Sequence, residues 1–154
     1  MLHEGQYKDN AFTPVVGAME LSEYVFTITD NEKNFPEYTA TKRRFRDGSD
    51  FIIVQMREDS LVNRIRQQAF DIYMNTFTAN EINVKRQPYR KDERLQKQLR
   101  AIQLCNEHLA TIQLCRHKFH LSKKRIKYWG GKTRDLRGVI EKWHDSDRDR
   151  FKDI

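Results

Sequence analysis

Between Ser122 and Trp143 the chain reads SKKRIKYWGGKTRDLRGVIEKW, and Ile126, Trp129, Thr133, Leu136, Ile140 and Trp143 recur at alternating steps of three and four. That spacing draws one stripe down an α-helix, with both tryptophans of the chain on it. The remaining surface is largely basic: Lys123, Lys124, Arg125, Lys127, Lys132, Arg134, Arg137 and Lys142. One side of this helix asks for a protein core and the other offers positive charge.

Two earlier segments follow the same design. A helix starting at Asp59 or Ser60, either of which can cap it, puts Leu61, Ile65, Ala69, Ile72, Thr76 and Ala79 on an inner stripe. Phe70, Tyr73 and Phe77 widen that stripe and predict burial on more than one side. From about Lys91 to Phe119, Leu95, Ile102, Cys105, Leu109, Ile112 and Phe119 fit a heptad seam, interrupted by Gln98 and Arg116. Leu99 and Leu114 add a second apolar edge, which suits a bundle better than a two-stranded coil. The links between these helices are short, and short links make antiparallel neighbours.

The expected fold is all-α: an antiparallel four-helix bundle over residues 21–147, with helices at about 60–84, 91–119 and 122–144. Residues 1–20 hold Gly5, Pro14 and Gly17 without a period and read as an irregular arm. Residues 148–154 read as a fraying tail. Leu21 to Lys33 is ambiguous. Leu21, Tyr24, Val25 and Ile28 have helical spacing, yet YVFTIT is rich in strand-favouring residues. Phe51-Ile52-Ile53-Val54-Gln55 looks like a short strand, and with YVFTIT it allows a small β-hairpin within residues 24–55. Between them Lys42, Arg43, Arg44 and Arg46 precede the turn signal Asp47-Gly48. That cluster is either a solvated loop or a phosphate-contacting one.

With 29 Lys and Arg against 22 Asp and Glu, the net charge is +7. Such an excess points to a polyanionic partner, nucleic acid first, with a basic protein that has no such partner as the bland alternative. No apolar run is long enough to span a bilayer, and MLHEGQYKDN lacks the basic and apolar regions of a secretory signal. Cys105 and Cys115 share one predicted helix, about 15 Å apart along its axis, too far for a disulfide. They read as buried free thiols in a reducing, cytoplasmic setting.

No catalytic or nucleotide-binding motif is present. Cys115 and His117 lie about 200° apart on a helix, so only His117 and His120 share a face. Two histidines make a weak ligand set, and no metal or cofactor is expected. His108 and His144 read as surface or hydrogen-bonded core residues. Gly130-Gly131 allows a kink, a close approach of a neighbouring helix, or a phosphate backbone lying between Lys127 and Lys132. The close approach is preferred, because Trp129 beside the pair needs space. Trp129 and Trp143 are expected in the core, while Tyr128 points elsewhere.

At DSLVNRIRQQAFDIYMNTFTANEINV the chain resembles the accessory variability determinants of diversity-generating retroelements. These share a four-helix fold with proteins encoded by intervening sequences in bacterial ribosomal RNA genes. The residues that carry the resemblance are Phe35-Pro36, Arg64 and Arg66 near a helix start, Ala79-Asn80-Glu81 at its end, and Trp143 late in a basic last helix. Two features depart from the family pattern: a basic insertion separates Phe35-Pro36 from the Arg64 helix, and the first helix is short and strand-prone. The resemblance implies a non-enzymatic protein that assembles as a homopentamer. It also implies binding to the element's reverse transcriptase and template RNA.

The functional expectation is a nucleic-acid-binding accessory protein, RNA favoured over DNA, without a membrane role. Its phosphate contacts would come from Lys123, Lys124, Arg125, Lys127, Arg134 and Arg137, helped by Arg64, Arg66, Lys85 and Arg86. The rivals are a DNA-binding mobilisation-type accessory factor of a mobile element and a helical protein–protein adaptor.

Overall fold

The computed structural model describes residues 12–31, 34 and 35, 38–56 and 60–154. Four helices carry the core: α1 (Thr13–Thr29), α2 (Leu61–Glu81), α3 (Lys91–Phe119) and α4 (Lys123–Arg150). They form an antiparallel, mainly α bundle in which α1 packs on α2, α2 on α3, α3 on α4, and α4 back on α1. Between α1 and α2 stands a two-stranded antiparallel hairpin, β1 (Tyr38–Arg44) and β2 (Asp50–Met56). No helix among the described residues is long and apolar enough to cross a membrane.

The first helix starts at Thr13, inside the stretch expected to be an irregular arm. Residues 1–11 lie outside the described residues. The strand-prone YVFTIT is helical because Ala18, Leu21, Val25 and Ile28 form one buried face against the rest of the bundle. Packing of that face overrides the modest β preference of the individual residues. The hydroxyls of Thr27 and Thr29 donate back to the carbonyls of Glu23 and Val25, so the helical turn satisfies both. The hairpin therefore does not use YVFTIT. Its first strand is the basic segment after it, with Lys42 opposite Ile52 and Arg43 opposite Phe51.

The α4 stripe is buried throughout, with Trp129 wholly enclosed and Phe35 packed 5.2 Å from Phe119 and 6.4 Å from Trp129 between ring centres. Beyond 147, where fraying was expected, the helix continues to Arg150 and seats Phe151 against Ile82 and Val84. The inner stripe of α2 is likewise buried, apart from Leu61, which packs at its edge. Phe70 and Phe77 are not buried: they face outward, with Tyr73 half-covered between them. Ser60 takes the N-cap position of α2, but its hydroxyl makes no capping bond; Asp59 lies outside the described residues. Ser122 does cap α4, accepting from the Arg125 N–H at 3.2 Å.

The seam of α3 is displaced from the expected one. The inward positions are Arg94, Gln98, Ala101, Cys105, His108, Ile112 and Cys115, again at alternating steps of four and three. Leu95, Ile102 and Leu109 sit half-buried on the flank, while Leu99 and Leu114 are exposed rather than forming a second edge. Three polar residues hold the seam because each is satisfied. Trp129 donates its indole N–H to His108 Nε2 at 3.0 Å, which places the ring proton on Nδ1 to donate to Gln68 Oε1 at 2.9 Å. Gln68 in turn donates to Thr111. Near the other end, Arg94 donates to Asp147 Oδ2 at 2.7 Å and to the carbonyls of Ile82 and Ala79. Gln98 donates to the same carboxylate oxygen at 2.6 Å, and its own carbonyl accepts from His144 Nδ1 at 3.0 Å. The guanidinium thus caps the carbonyl end of α2 while paired to α4.

Candidate nucleic-acid interface

The basic face of α4 is built by the period that buries its apolar stripe. With Trp129 pointing inward, Lys124, Lys127, Gly131 and Arg134 fall within about 40° of the opposite direction, and all three charged residues are exposed. Lys123 stands at the rim of that face, on the first turn. Among the described residues these four cations form no ion pair. They have no hydrogen-bonding side-chain partner either, so their charge faces solvent. Lys124, Lys127, Tyr128, Gly131, Lys132 and Asp135 line a shallow surface depression of about 560 Å³.

Tyr128 is 58% exposed and packs 5.1 Å from Tyr24 of α1, with the two rings tilted by 56°. Burial raises the Tyr24 hydroxyl above its ordinary pKa against the lowering pull of Arg125, so Tyr24 remains a neutral phenol. The pair gives a partly exposed, angled aromatic surface beside the lysines. Gly131 shapes the depression: a Cβ there would meet nothing within 4 Å, and the same holds for Gly138 one heptad later. At Gly130 a Cβ would meet only the end of the Arg134 side chain, at 3.2 Å. On the side where a Cβ would stand, neither glycine has a neighbouring helix as its nearest contact, so the preferred expectation of a close helix crossing is not met there, although Gly130 itself is buried. Nor do the glycines break the helix, which runs unbroken through both.

The other expected contacts separate into groups. Arg125 is half-buried toward Tyr24. Arg137 turns to α3, donating to Asn106 Oδ1 at 2.7 Å and pairing with Glu141 at 3.4 Å. Arg66 ties α2 to the end of α1 through Thr29 Oγ1 at 2.8 Å and Asp30 at 3.5 Å, with its guanidinium over Phe26. Arg64 is exposed near the start of α2. Lys85 and Arg86 follow the end of α2, roughly 30 Å along the bundle from that start. The ten residues therefore do not form one site. Lys123, Lys124, Lys127 and Arg134 gather on one face, Arg66 and Arg137 are held by partners inside the bundle surface, and Lys85 and Arg86 lie at the opposite end.

The expected phosphate contacts did not include Lys132, Tyr128, Gly131 or Asp135, although a backbone lying at Gly130-Gly131 between Lys127 and Lys132 was one of the readings the sequence allowed. Lys132 pairs with Glu20 of α1 at 3.7 Å and fixes one wall of the depression. All four follow from the helical wheel that gave the stripe. His117 and His120 do not share a helical face as expected, because His120 closes α3 in the left-handed conformation, φ 53°. Cys105 and Cys115 are buried free thiols, and burial pushes each up to about 12.

No family model, curated protein or solved structure matches the chain.

Proposed function

We propose that this chain is a non-enzymatic, basic nucleic-acid-binding accessory protein, with RNA favoured over DNA and the outer face of α4 as its contact surface. The observation that carries the reading is the grouping of unpaired Lys123, Lys124, Lys127 and Arg134 around an open glycine and an exposed tyrosine. Unpaired exposed cations gain most from a phosphate backbone, because no internal ion pair must be broken and condensed counterions are released. Gly131 leaves room for a backbone to come close. Tyr128 offers a ring on which an unpaired base can stack, and such bases are commoner in folded RNA than in duplex DNA. The two buried free thiols fit a reducing, cytoplasmic setting.

The resemblance to accessory variability determinants extends the proposal to a biological setting. The chain would support a retroelement reverse transcriptase and its template RNA, as a homo-oligomer of about five copies. Light scattering after nuclease treatment and a high-salt wash tests the assembly. A monomer would count against that family reading.

The test of the α4 face is the salt dependence of binding to a labelled structured RNA, with duplex DNA as competitor. Replacing Lys123, Lys124 and Lys127 together by alanine is expected to weaken binding. It should also flatten the plot of log affinity against log salt by about 2. An unchanged slope in the triple variant would remove α4 from the interface, and preference for the duplex would favour the DNA-binding mobilisation factor.

A further inference from the structure

The hairpin and one groove of the bundle are both uncovered, and their chemistry matches. Among the described residues, β1 and β2 pair with each other and meet no helix. Every residue from Thr41 to Asp50 is exposed, and Ile52 and Val54 are 66% and 62% exposed. The register puts Lys42, Arg44, Ile52 and Val54 on one face. Arg43, Phe51 and Ile53 lie on the other, with the Phe45 ring 4.3 Å from that of Phe51. A solvated ribbon keeps its apolar residues on one face, against a core. This one carries them on both faces against nothing, and a lone two-stranded hairpin is marginal in water.

The groove runs between the outer faces of α1 and α2. Met19, Ser22, Glu23, Phe26, Thr27, Phe70 and Tyr73 line a hollow of about 600 Å³. Exposed Met74 and Phe77 extend its apolar wall along α2. One acid, Glu23, lines it, on a helix with no lysine or arginine; Glu20 of the same helix faces Lys132 of α4, and the Arg66 guanidinium over Phe26 is paired with Asp30. The hairpin carries Lys42, Arg43, Arg44 and Arg46 against Asp47 and Asp50; Lys42 and Arg44 pair with Asp50 at 3.2 and 3.3 Å, which leaves Arg43 and Arg46 to face outward. Among the described residues the hairpin makes no contact with the groove of its own bundle.

We propose that the hairpin of one copy seats in the α1–α2 groove of a second copy, its apolar β2 residues against Phe26, Phe70 and Phe77 and the cations Arg43 and Arg46 toward Glu23. The inference deepens the self-association proposed above by naming its surfaces, and is independent of nucleic-acid binding by α4. Hairpin and groove are different surfaces. The contact therefore closes either reciprocally, as a two-fold dimer, or one way around a ring.

Two single-cysteine additions test it in the full chain. Ile52→Cys and Phe70→Cys both lie at exposed positions, and the native Cys105 and Cys115 are buried. Each variant is treated with a short bis-maleimide alone, and then the two are mixed. The expected result is a covalent dimer formed several-fold more in the mixture than in either protein alone. Equal crosslinking of Ile52→Cys with itself would mean hairpin pairs with hairpin, and would overturn the proposal. So would an intramolecular bridge in the double variant. As a second measurement, the Ile52→Asp/Val54→Asp and Phe70→Asp/Phe77→Asp pairs should each lower the native mass to one chain while helical content is kept. An unchanged mass in both, or a monomeric parent at high protein concentration, overturns it. No variant touches α4, so failure here with RNA binding intact leaves the α4 reading standing.

Discussion

Asp147 ties α4 to α3 and, through Arg94, to the end of α2. Its Oδ2 accepts from Arg94 and from Gln98, and its Oδ1 accepts from Arg150 at 2.9 Å. Both Arg94 and Asp147 are buried, so each needs the other to offset lost hydration. Asp147→Asn is expected to destabilise the fold by about 3–5 kcal/mol, the usual cost of stranding one buried charge, measured by urea denaturation. An Arg94→Met/Asp147→Leu double variant should recover much of that loss, because neither charge is then left alone. If the single and double variants are equally unstable, the network is not the cause. This arrangement was only half legible in the sequence. Gln98 stood out as an interruption of a seam, but the seam was drawn through Leu95, Ile102 and Leu109, one position off. Hydrophobic periodicity misplaces a core whose inward positions include an arginine, a glutamine and a histidine, since it scores such residues as solvent-facing.

The helices differ in how openly their sequences declare them. The stripe of α4 was legible from Ile126 to Trp143, where its members are apolar or a threonine, and broke off there because the next inward positions are His144 and Asp147. That of α2 was legible except at its start, where Val62 rather than Leu61 is wholly buried, and Phe70 and Phe77, expected inside, are exposed. Size and apolarity cannot tell a core face from a docking face. The start of α1 was hidden by the absence of a polar cap: Phe12 precedes it, and Pro14 within its first turn looked like an arm residue although proline suits that position. The hairpin strand of lysines and arginines showed no alternation, and so looked like a loop. In α4 the glycines are the feature that packing does not explain. Gly138 sits in open space in the middle of an exposed helical face, so Gly138→Ala should raise stability by about 1 kcal/mol. Gly131→Ala should stabilise the free protein similarly. If a phosphate backbone lies against it, the same substitution should weaken RNA binding, and unchanged affinity would place the nucleic acid elsewhere on the face.

At the scale of the whole molecule the charges are sorted by element and the titrating groups by depth. The α4 helix carries 10 Lys and Arg against 5 Asp and Glu, while α1 carries two acids and no base. The α4 helix thus carries the largest excess of the four helices and lies beside the acidic α1, an asymmetry that favours orienting the molecule on a polyanion. The buried groups set its pH range. Burial holds His108 neutral and lowers it to about 4 from an ordinary 6.5. His144 is lowered as well, by burial first and then by Arg148. The unfolded chain takes up these protons first as pH falls below about 6.5, so folding stability is lost from there down toward pH 4. At about 1.4 kcal/mol per pH unit for each such group, His108 alone should cost roughly 2 kcal/mol by pH 5. The thiols act on the alkaline side. Cys105 and Cys115 are raised to about 12 from 9.0, so the unfolded chain ionises first and stability falls as pH rises above 9. Urea midpoints measured across pH should therefore trace a plateau between about 6.5 and 9 with a falling limb on each side. Replacing His108 by a residue that cannot titrate should shallow the acid limb and leave the alkaline one in place. A midpoint that stays level from pH 7 to pH 5 would mean that water or a proton reaches His108 in the folded state, and would contradict the closed Trp129–His108–Gln68 chain at the centre of the bundle.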